Sequence, residues 1–265
     1  MSFRVTLGNN KGGSGKTATA VGLAAALAEQ GLRVLVVDLD PQANASRRLG
    51  RPFDSESPAP TIAEAIKAGS EGVAADAVVP CGWPDDYAKM IDLIPSRFDL
   101  ENRVSEAGTV GAVARLRRAL TGVDDDHDVT LIDCPPSLGH LTQMGMAAST
   151  HALCTVEPEY DSVEGAVRFR DFITHHSADM GCPDLRVTGC VITRVRSNLS
   201  AHSYQINGLT DLFGDLVWTP HIPERAAVKD AADTASPLRV VGGSSAVALA
   251  DIHAQLAQRL WEARS

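Results

Sequence analysis

Short apolar runs alternate along the chain with longer segments in which apolar residues recur at helical spacing. A run that is apolar at every position is typical of a parallel strand covered on both faces, whereas helical spacing indicates one buried face. This alternation predicts a single α/β domain over residues 1–265, with a mainly parallel, doubly wound sheet flanked by helices and joined by right-handed crossovers. The predicted strands lie near 3–8, 33–38, 90–94, 128–133, 152–156, 186–192 and 216–222.

Two segments depart from this pattern, at 50–60 and 69–87, and their glycine, proline and aspartate content predicts surface loops. A C-terminal helix is predicted over 244–261, because an apolar stripe recurs there at helical spacing: Leu249, Ile252, Leu256 and Leu260. The charged residues of this helix sum to zero, so it lacks the basic character that attracts an amphipathic helix to anionic lipid. We therefore expect the helix to dock on the protein's own sheet, and we expect no membrane partner.

Composition is ordinary for a globular protein, with 44% hydrophobic and 22% charged residues. No apolar stretch approaches the roughly 18 residues expected of a membrane span, and the chain begins directly with a predicted strand. We therefore expect a cytoplasmic protein with no signal peptide and no N-terminal helix-turn-helix domain. Five cysteines include no close pair, which excludes a CxxC metal or redox motif.

A glycine-rich loop lies between the first predicted strand and an alanine-rich helix predicted over 17–30. This is the context of a phosphate-binding loop, in which backbone N–H groups and the helix N-terminus face the phosphates. Lys16 is predicted to hold the β- and γ-phosphates, and Thr17 to bind Mg²⁺ through its hydroxyl. The generic motif has glycine where this chain has Asn10, and Lys11 is an additional lysine. The predicted nucleotide-binding residues of the loop are Lys11, Gly12, Gly13, Gly15, Lys16, Thr17 and Ala18.

Three aspartates follow two of the predicted strands. Asp38 and Asp40 lie at the end of the second strand, and Asp133 ends the fourth. Because the carboxyl ends of parallel strands border the ligand crevice, we expect these carboxylates near the phosphate loop. Asp133 has the arrangement of an aspartate that holds Mg²⁺ through its water shell. The predicted metal residues are Thr17, Asp40 and Asp133.

The chain resembles the ParA/MinD group of deviant Walker ATPases, and within it the ParA partition proteins most closely. Besides the loop and the aspartates, four segments carry the resemblance: IDLIPS at 91–96, LIDCPPSLG at 131–139, VEPEYDSVEG at 156–165 and SNLS at 197–200. The resemblance implies an ATP-sandwich homodimer in which Lys11 crosses the interface to the partner's phosphates. It also implies that Asp40 positions or activates the attacking water, and that Gln42 and Asn44 respond to the γ-phosphate. The predicted catalytic residues are Lys11, Lys16 and Asp40.

The resemblance also assigns the base end of the site. Thr193 and Arg194 follow the strand after which relatives place base-contacting residues, and Pro223 begins a loop that packs near the base. Asp38, beside Asp40, completes the predicted nucleotide-binding set. Selectivity for ATP over GTP is implied by the resemblance alone, because a phosphate loop does not read the base.

Charge is spread unevenly over the chain. The net charge is −9, yet residues 181–265 contain eight basic and eight acidic residues, so the acidic excess lies in 1–180. Since non-specific DNA affinity comes mostly from lysine and arginine, the C-terminal third is the expected DNA face. Arg196 matches an arginine that ParA proteins carry before SNLS, whereas Ala227 stands where many have another arginine. The candidate DNA-binding residues are Arg196, Arg225 and Lys229.

The resemblance therefore implies an ATPase for plasmid or chromosome partitioning. Its expected cofactors are ATP and Mg²⁺, and its expected partners are a second copy of the chain, non-specific DNA of the nucleoid and a ParB-like centromere-binding protein. Two alternatives within the same superfamily stay open. One is a MinD-like positioning ATPase, and the other is an ATPase that positions a protein cargo on the nucleoid.

Overall fold

One mixed sheet forms the centre of the protein, in a computed structural model that describes residues 3–264. Among these residues the sheet has eight strands. In chain order they are β1 (Phe3–Gly8), β2 (Val34–Asp38), β3 (Val79–Pro80), β4 (Ile91–Ile94), β5 (Val129–Asp133), β6 (His151–Val156), β7 (Arg186–Ile192) and β8 (Val217–Trp218). Across the sheet the order is β3-β4-β2-β5-β1-β6-β7-β8, and all neighbours run parallel except β3, which is antiparallel to β4.

Helices cover both faces of this sheet, which confirms the predicted α/β architecture. The α-helices of the described residues are α1 (Lys16–Glu29), α2 (Asn44–Arg48), α3 (Ile62–Ala68), α4 (Asp85–Ala88), α5 (Arg115–Ala119), α6 (His140–Ala148), α7 (Tyr160–His176), α8 (Ser200–Phe213), α9 (Ala227–Asp233), α10 (Leu238–Val241) and α11 (Gly243–Glu262). Short 3₁₀ helices occupy Val73–Ala77, Phe98–Glu106, Ala112–Ala114 and Gly214–Leu216.

The central strands contain continuous or nearly continuous apolar runs because alternate residues enter different cores. In β2, Val34 and Val36 pack into a core that contains α1 and α11, whereas Leu35 and Val37 pack into a second core with α3, α5 and α6. A third core joins β6 and β7 to α7 and α8 around the buried ring of Phe169. Both faces of the sheet are therefore covered, as the continuous apolar runs predict.

Helix α11 carries the predicted C-terminal stripe and packs mainly against α1. Its residues Leu249, Leu256 and Leu260 are buried in the same core as Leu23 and Leu27 of α1. The stripe thus faces the protein, as expected, but it docks chiefly on α1 and not on the sheet. Within residues 3–264, every helix is too short or too polar to span a lipid bilayer.

The two predicted loops have different outcomes. The segment around 50–60 is an exposed connection, as predicted. The loop predicted at 69–87 is wrong in part, because this segment contains a 3₁₀ helix, β3 and α4, and buries Cys81 and Trp83. These elements are too short to show a periodicity, and contacts with the rest of the fold hold them.

The last predicted strand, 216–222, is also shorter than expected. Only the two residues of β8 pair with β7. Pro220 follows two residues later and has no N–H with which to continue the ladder.

Sheet order places the carboxyl ends of β1, β2 and β5 side by side. Leu7 on β1 and Asp38 on β2 both pair in register with Asp133 on β5. The chain continues from β1 to β2 on one side and from β5 to β6 on the other, so the following loops diverge around a crevice at this edge. The functional site is built there.

Candidate functional site

The phosphate loop between β1 and α1 is fixed by contacts behind it. Asn9 is buried, and its Nδ2 donates hydrogen bonds to the carbonyl oxygens of Thr155 (2.8 Å) and Ser162 (3.0 Å). Gly13 and Gly15 have φ angles of +83° and +84°, which glycine adopts readily. Contacts with β6 and with the start of α7 therefore set the shape of the loop.

Lys16 begins α1 and is largely buried at the loop. Its Nζ donates to the carbonyl oxygen of Lys11 at 3.1 Å. Burial lowers the pKa of Lys16, and the acidic groups of Asp133, Cys134 and Asp40 act in the opposite direction. A bound phosphate would favour the charged ammonium, because an opposite charge offsets the cost of desolvation.

Asp133 is the carboxylate best suited to a metal ion. It is fully buried, and neither of its side-chain oxygens has a hydrogen-bond partner among residues 3–264. Burial, followed by the charge of Asp38, raises the pKa of Asp133 to about 8, whereas the nearby hydroxyl of Thr17 and the ammonium of Lys16 act in the opposite direction. A buried carboxylate is costly unless a cation satisfies it. The residues therefore fit Mg²⁺, which Thr17 and Asp133 would hold, with Asp40 nearby.

Asp38 has a different environment, although it pairs in register with Asp133. Its Oδ2 accepts hydrogen bonds from the backbone N (2.8 Å) and the Oγ (2.7 Å) of Ser46, and its Oδ1 accepts one from the N of Asp40 (3.2 Å). Burial raises the pKa of Asp38 to about 6 despite these bonds. Asp38 thus ties the segment from Asp40 to Ser46 to the end of β2. Its contact with a nucleotide stays a prediction, and this geometry favours a supporting role.

Asp40 lies in the turn that follows β2. Its Oδ1 accepts a hydrogen bond from the N of Gln42 at 2.9 Å, and its Oδ2 has no hydrogen bond within the described chain. Asp40, Gln42 and Asn44 all line the cavity beside the phosphate loop. One carboxylate oxygen of Asp40 is therefore available to a water molecule or a metal ligand in that cavity.

The cavity has a volume of about 720 Å³ and extends from the phosphate loop along α1. This volume is in the range of small-molecule sites. Its charged lining consists of five cationic side chains, Lys16, Arg48, Arg194, Arg225 and Lys229, and three acidic ones, Glu29, Asp40 and Glu224. The cavity is therefore locally suited to an anion in a chain whose net charge is −9.

The predicted base-end residues lie at the same cavity. Thr193 is buried, and its Oγ1 donates to the carbonyl oxygen of Ser14 at 2.9 Å. A side chain at Gly15 would collide with Thr193, because a Cβ there would lie 2.9 Å from its Oγ1. Arg194 reaches back to the carbonyl oxygen of Gly13 at 3.4 Å, and Pro223 also lines the cavity. The strand end after β7 is thus joined directly to the phosphate loop.

Lys11 lies outside this arrangement. Its Nζ is 3.1 Å from Oδ2 of Asp161 in the first turn of α7, and both side chains are exposed. Among the described residues that line the cavity, Lys11 is absent. The second lysine of the loop therefore does not line this cavity.

The three candidate DNA-binding residues do not form one free basic surface. The Nε of Arg196 is ion-paired with Glu224, which also pairs with Arg194 at 3.4 Å. Arg225 and Lys229 line the nucleotide cavity. DNA contact by these residues stays a prediction, and a phosphate group at Arg196 would compete with Glu224.

Sequence reasoning missed three residues that the structure brings to the site: Arg48, Asp161 and Glu224. Arg48 lines the cavity from α2, Asp161 holds Lys11, and Glu224 joins two arginines. The segment containing Asp161 was recognisable, but its contact with Lys11 depends on the packing of α7 against the loop. A charge pattern in the sequence does not reveal such pairs.

A phosphate loop at the carboxyl edge of a parallel sheet, with a buried carboxylate that fits Mg²⁺, defines a P-loop nucleotide-binding protein of the α/β class. The family model described as an AAA domain (AAA_31) matches residues 4–181. The chain is 32% identical over 237 residues to the chromosome partitioning protein ParA of Caulobacter vibrioides, covering 88% of this chain and 85% of that protein. It is 31% identical over 240 residues to the sporulation initiation inhibitor protein Soj of Bacillus subtilis, covering 88% of this chain and 89% of Soj.

One solved structure is similar to this chain over nearly its whole length. The cobyrinic acid a,c-diamide synthase of Mycobacterium smegmatis, with bound ADP and magnesium, is 30% identical with a TM-score of 0.78, covering 99% of this chain and 96% of that chain. This chain belongs to the AAA_31 family, within the ParA/MinD superfamily of P-loop ATPases.

Proposed function

We propose that this protein is a ParA-like partition ATPase. It binds ATP and Mg²⁺, forms a homodimer with ATP, holds non-specific DNA of the nucleoid as that dimer, and hydrolyses ATP when a ParB-like partner stimulates it. Membership in the superfamily supports the nucleotide chemistry. The name of the Caulobacter relative, a chromosome partitioning protein, supports a role in partitioning.

The described residues support separate roles in phosphoryl transfer, a reaction that depends on the positioning of its reactants and on charge stabilisation. Backbone N–H groups of the loop and Lys16 hold the phosphates, and Thr17 and Asp133 hold the metal. Mg²⁺, when bound, neutralises charge on the β- and γ-phosphate oxygens. Asp40, with one oxygen free toward the cavity, orients the attacking water.

The position of Lys11 is the observation that best supports the proposed dimer. Its ammonium is held by Asp161 and does not line its own cavity, yet it projects from the phosphate loop itself. A cation at this place reaches the phosphates of a second subunit once two loops face each other. Each site would then gain its last positive charge from the partner, and such a cation in trans is worth about 10³–10⁵ in rate in related phosphoryl transfers. Dimerisation therefore acts as the switch for hydrolysis.

The dimer is tested by sedimentation of the wild-type chain, Lys11→Ala and the control Lys67→Ala, with Mg²⁺ and a non-hydrolysable ATP analogue. Lys67 is an exposed lysine on α3, and its replacement by alanine removes the same charge as Lys11→Ala. Wild type and Lys67→Ala are expected to dimerise with the analogue only, whereas Lys11→Ala should bind it and remain monomeric. Dimerisation of Lys11→Ala with wild-type affinity would overturn the role of Lys11 in trans.

DNA binding is the step that separates this proposal from the alternatives in the same superfamily. In band shifts at low salt, the wild-type chain with ATP and Mg²⁺ should bind duplexes of unrelated sequence and should bind none without nucleotide. If no duplex is bound, the result would favour the alternative, a DNA-independent positioning ATPase of the MinD type. The packing of α11 against α1 disfavours a membrane-binding C-terminal helix in that alternative.

A further inference from the structure

Arg48, the last residue of α2, is a partly buried arginine without a partner. Its guanidinium makes no hydrogen bond, ion pair or aromatic contact with any residue of the described chain. The other two arginines of the cavity are engaged: Arg194 pairs with Glu157 at 3.2 Å, and Arg225 donates to the carbonyl oxygen of Glu224 at 2.9 Å. Arginine is almost never fully buried without a partner, and the partly buried guanidinium of Arg48 is therefore open to a ligand in the cavity that it lines.

The backbone of Arg48 is fixed at the cavity wall. The Nε1 of Trp83 donates to the carbonyl oxygen of Arg48 at 2.9 Å, and Trp83 lines the same cavity. Two residues earlier, Ser46 is bound to Asp38 at the end of β2, and the next residue, Leu49, is fully buried. The position of Arg48 at this wall is therefore set by the fold.

The electrostatic surroundings relate Arg48 to the phosphate end of the cavity. Burial lowers its pKa, while the carboxylates of Asp133 and Asp233 act in the opposite direction. Neither carboxylate is close enough to form an ion pair with it. Asp133 is the residue that fits the metal, and the cavity that Arg48 lines is also lined by Lys16, Thr17 and Asp40. Arg47, the neighbour on α2, donates instead to the side chain of Asn44.

We propose that Arg48 is a phosphate-binding residue of the nucleotide cavity, a cation supplied in cis that adds to Lys16. Its planar guanidinium matches a phosphate with two parallel hydrogen bonds, which the single ammonium of a lysine does not reproduce. The ligand class is a nucleoside di- or triphosphate. This inference rests on the proposed nucleotide binding, and it assigns to α2 a contact beyond those of the phosphate loop and the aspartates.

Titration calorimetry of ATP, ADP and AMP with Mg²⁺ tests the assignment on Arg48→Ala, Arg48→Lys and two controls. Arg118→Ala removes the same charge from an exposed position on α5, outside the cavity. Asp233→Asn removes the carboxylate of α9 that acts on Arg48. Arg48→Ala should weaken ATP and ADP by about tenfold or more and AMP by less than twofold, and Arg48→Lys should recover part of the loss. Both controls should bind ATP within twofold of wild type.

Three results would overturn the assignment. One is an Arg48→Ala affinity for ATP within twofold of wild type. The second is an equal loss for ATP, ADP and AMP, and the third is a similar loss in Asp233→Asn, which would indicate that Arg48 only supports α9. Thermal unfolding without nucleotide shows whether Arg48→Ala is folded, and Arg48→Lys serves in its place if it is not. A wild-type chain that binds no nucleotide would instead refute the proposed function itself.

Discussion

Replacement of Asp161 by asparagine is expected to strengthen ATP-dependent dimerisation. In the structure, Nζ of Lys11 lies 3.1 Å from Oδ2 of Asp161, and the two side chains are 39% and 68% exposed. In the proposed dimer, Lys11 must leave this carboxylate before it reaches the partner's phosphates. An exposed ion pair is worth about 0.2–1 kcal/mol. Because a dimer breaks two such pairs, its dissociation constant should fall by about 2- to 30-fold in the variant.

Sedimentation equilibrium with a non-hydrolysable ATP analogue measures this constant. Glu164→Gln is the matched control, because it removes the same charge from α7 at a residue that pairs with Arg168 one turn away. Asp161→Asn should have no effect when Lys11 is already alanine. The gain should shrink at high salt, since exposed charges are screened over about 10 Å at 0.1 M. An unchanged or weaker dimer for Asp161→Asn would refute the competition between Asp161 and the partner's phosphates.

Three further outcomes are expected. Asp40→Ala should still bind ATP and Mg²⁺ but accumulate as the ATP-bound dimer in sedimentation, because the loss of a transition-state role leaves ground-state binding intact. Hydrolysis by Asp40→Ala at the wild-type rate would exclude that role. In band shifts, Arg196→Glu should weaken binding to all duplexes, and Glu224→Gln should strengthen it because Arg196 loses its ion-pair partner. If the wild-type dimer contacts about four phosphates, the slope of log affinity against log salt concentration should be roughly −3.6. Burial lowers the pKa of His151 to about 4, below the unfolded value near 6.5, so its contribution to stability is complete above pH 6.5 and is lost as the pH falls toward 4. His151→Gln should therefore show a smaller drop in Tm between pH 7.5 and pH 5 than wild type.

The sheet was predictable because its signal is local. A strand such as β2, buried on both faces, is apolar at every position from Val34 to Val37, and no other part of the fold is needed to recognise it. The segment around Cys81 and Trp83 was not predictable, because it is held by contacts with distant residues and is too short for a periodicity. Tertiary packing decides such segments.

In the site, too, locally encoded features were predictable and features that depend on tertiary packing were not. The phosphate loop and the three aspartates were placed correctly at one edge, because spacing and strand ends fix them in the sequence. Their different environments were not predictable: Asp38 is saturated by Ser46, and Asp133 has two oxygens without partners, although both residues end a similar strand. Arg48 illustrates the limit most clearly, since the desolvation of a charged side chain is a property of the assembled cavity.

The central place of β1 has a consequence for how the chain matures during synthesis. Phe3 to Leu7 pair with Val129 to Asp133 of β5, and β6 completes the other side from residue 151 onward. The phosphate loop is therefore synthesised more than 100 residues before its flanking strands β5 and β6, and the base-end contact at Thr193 comes later still. Contacts so distant in sequence slow folding. A nascent or truncated chain would thus carry the motif without the strands and the Thr193 contact that hold the phosphate loop in place.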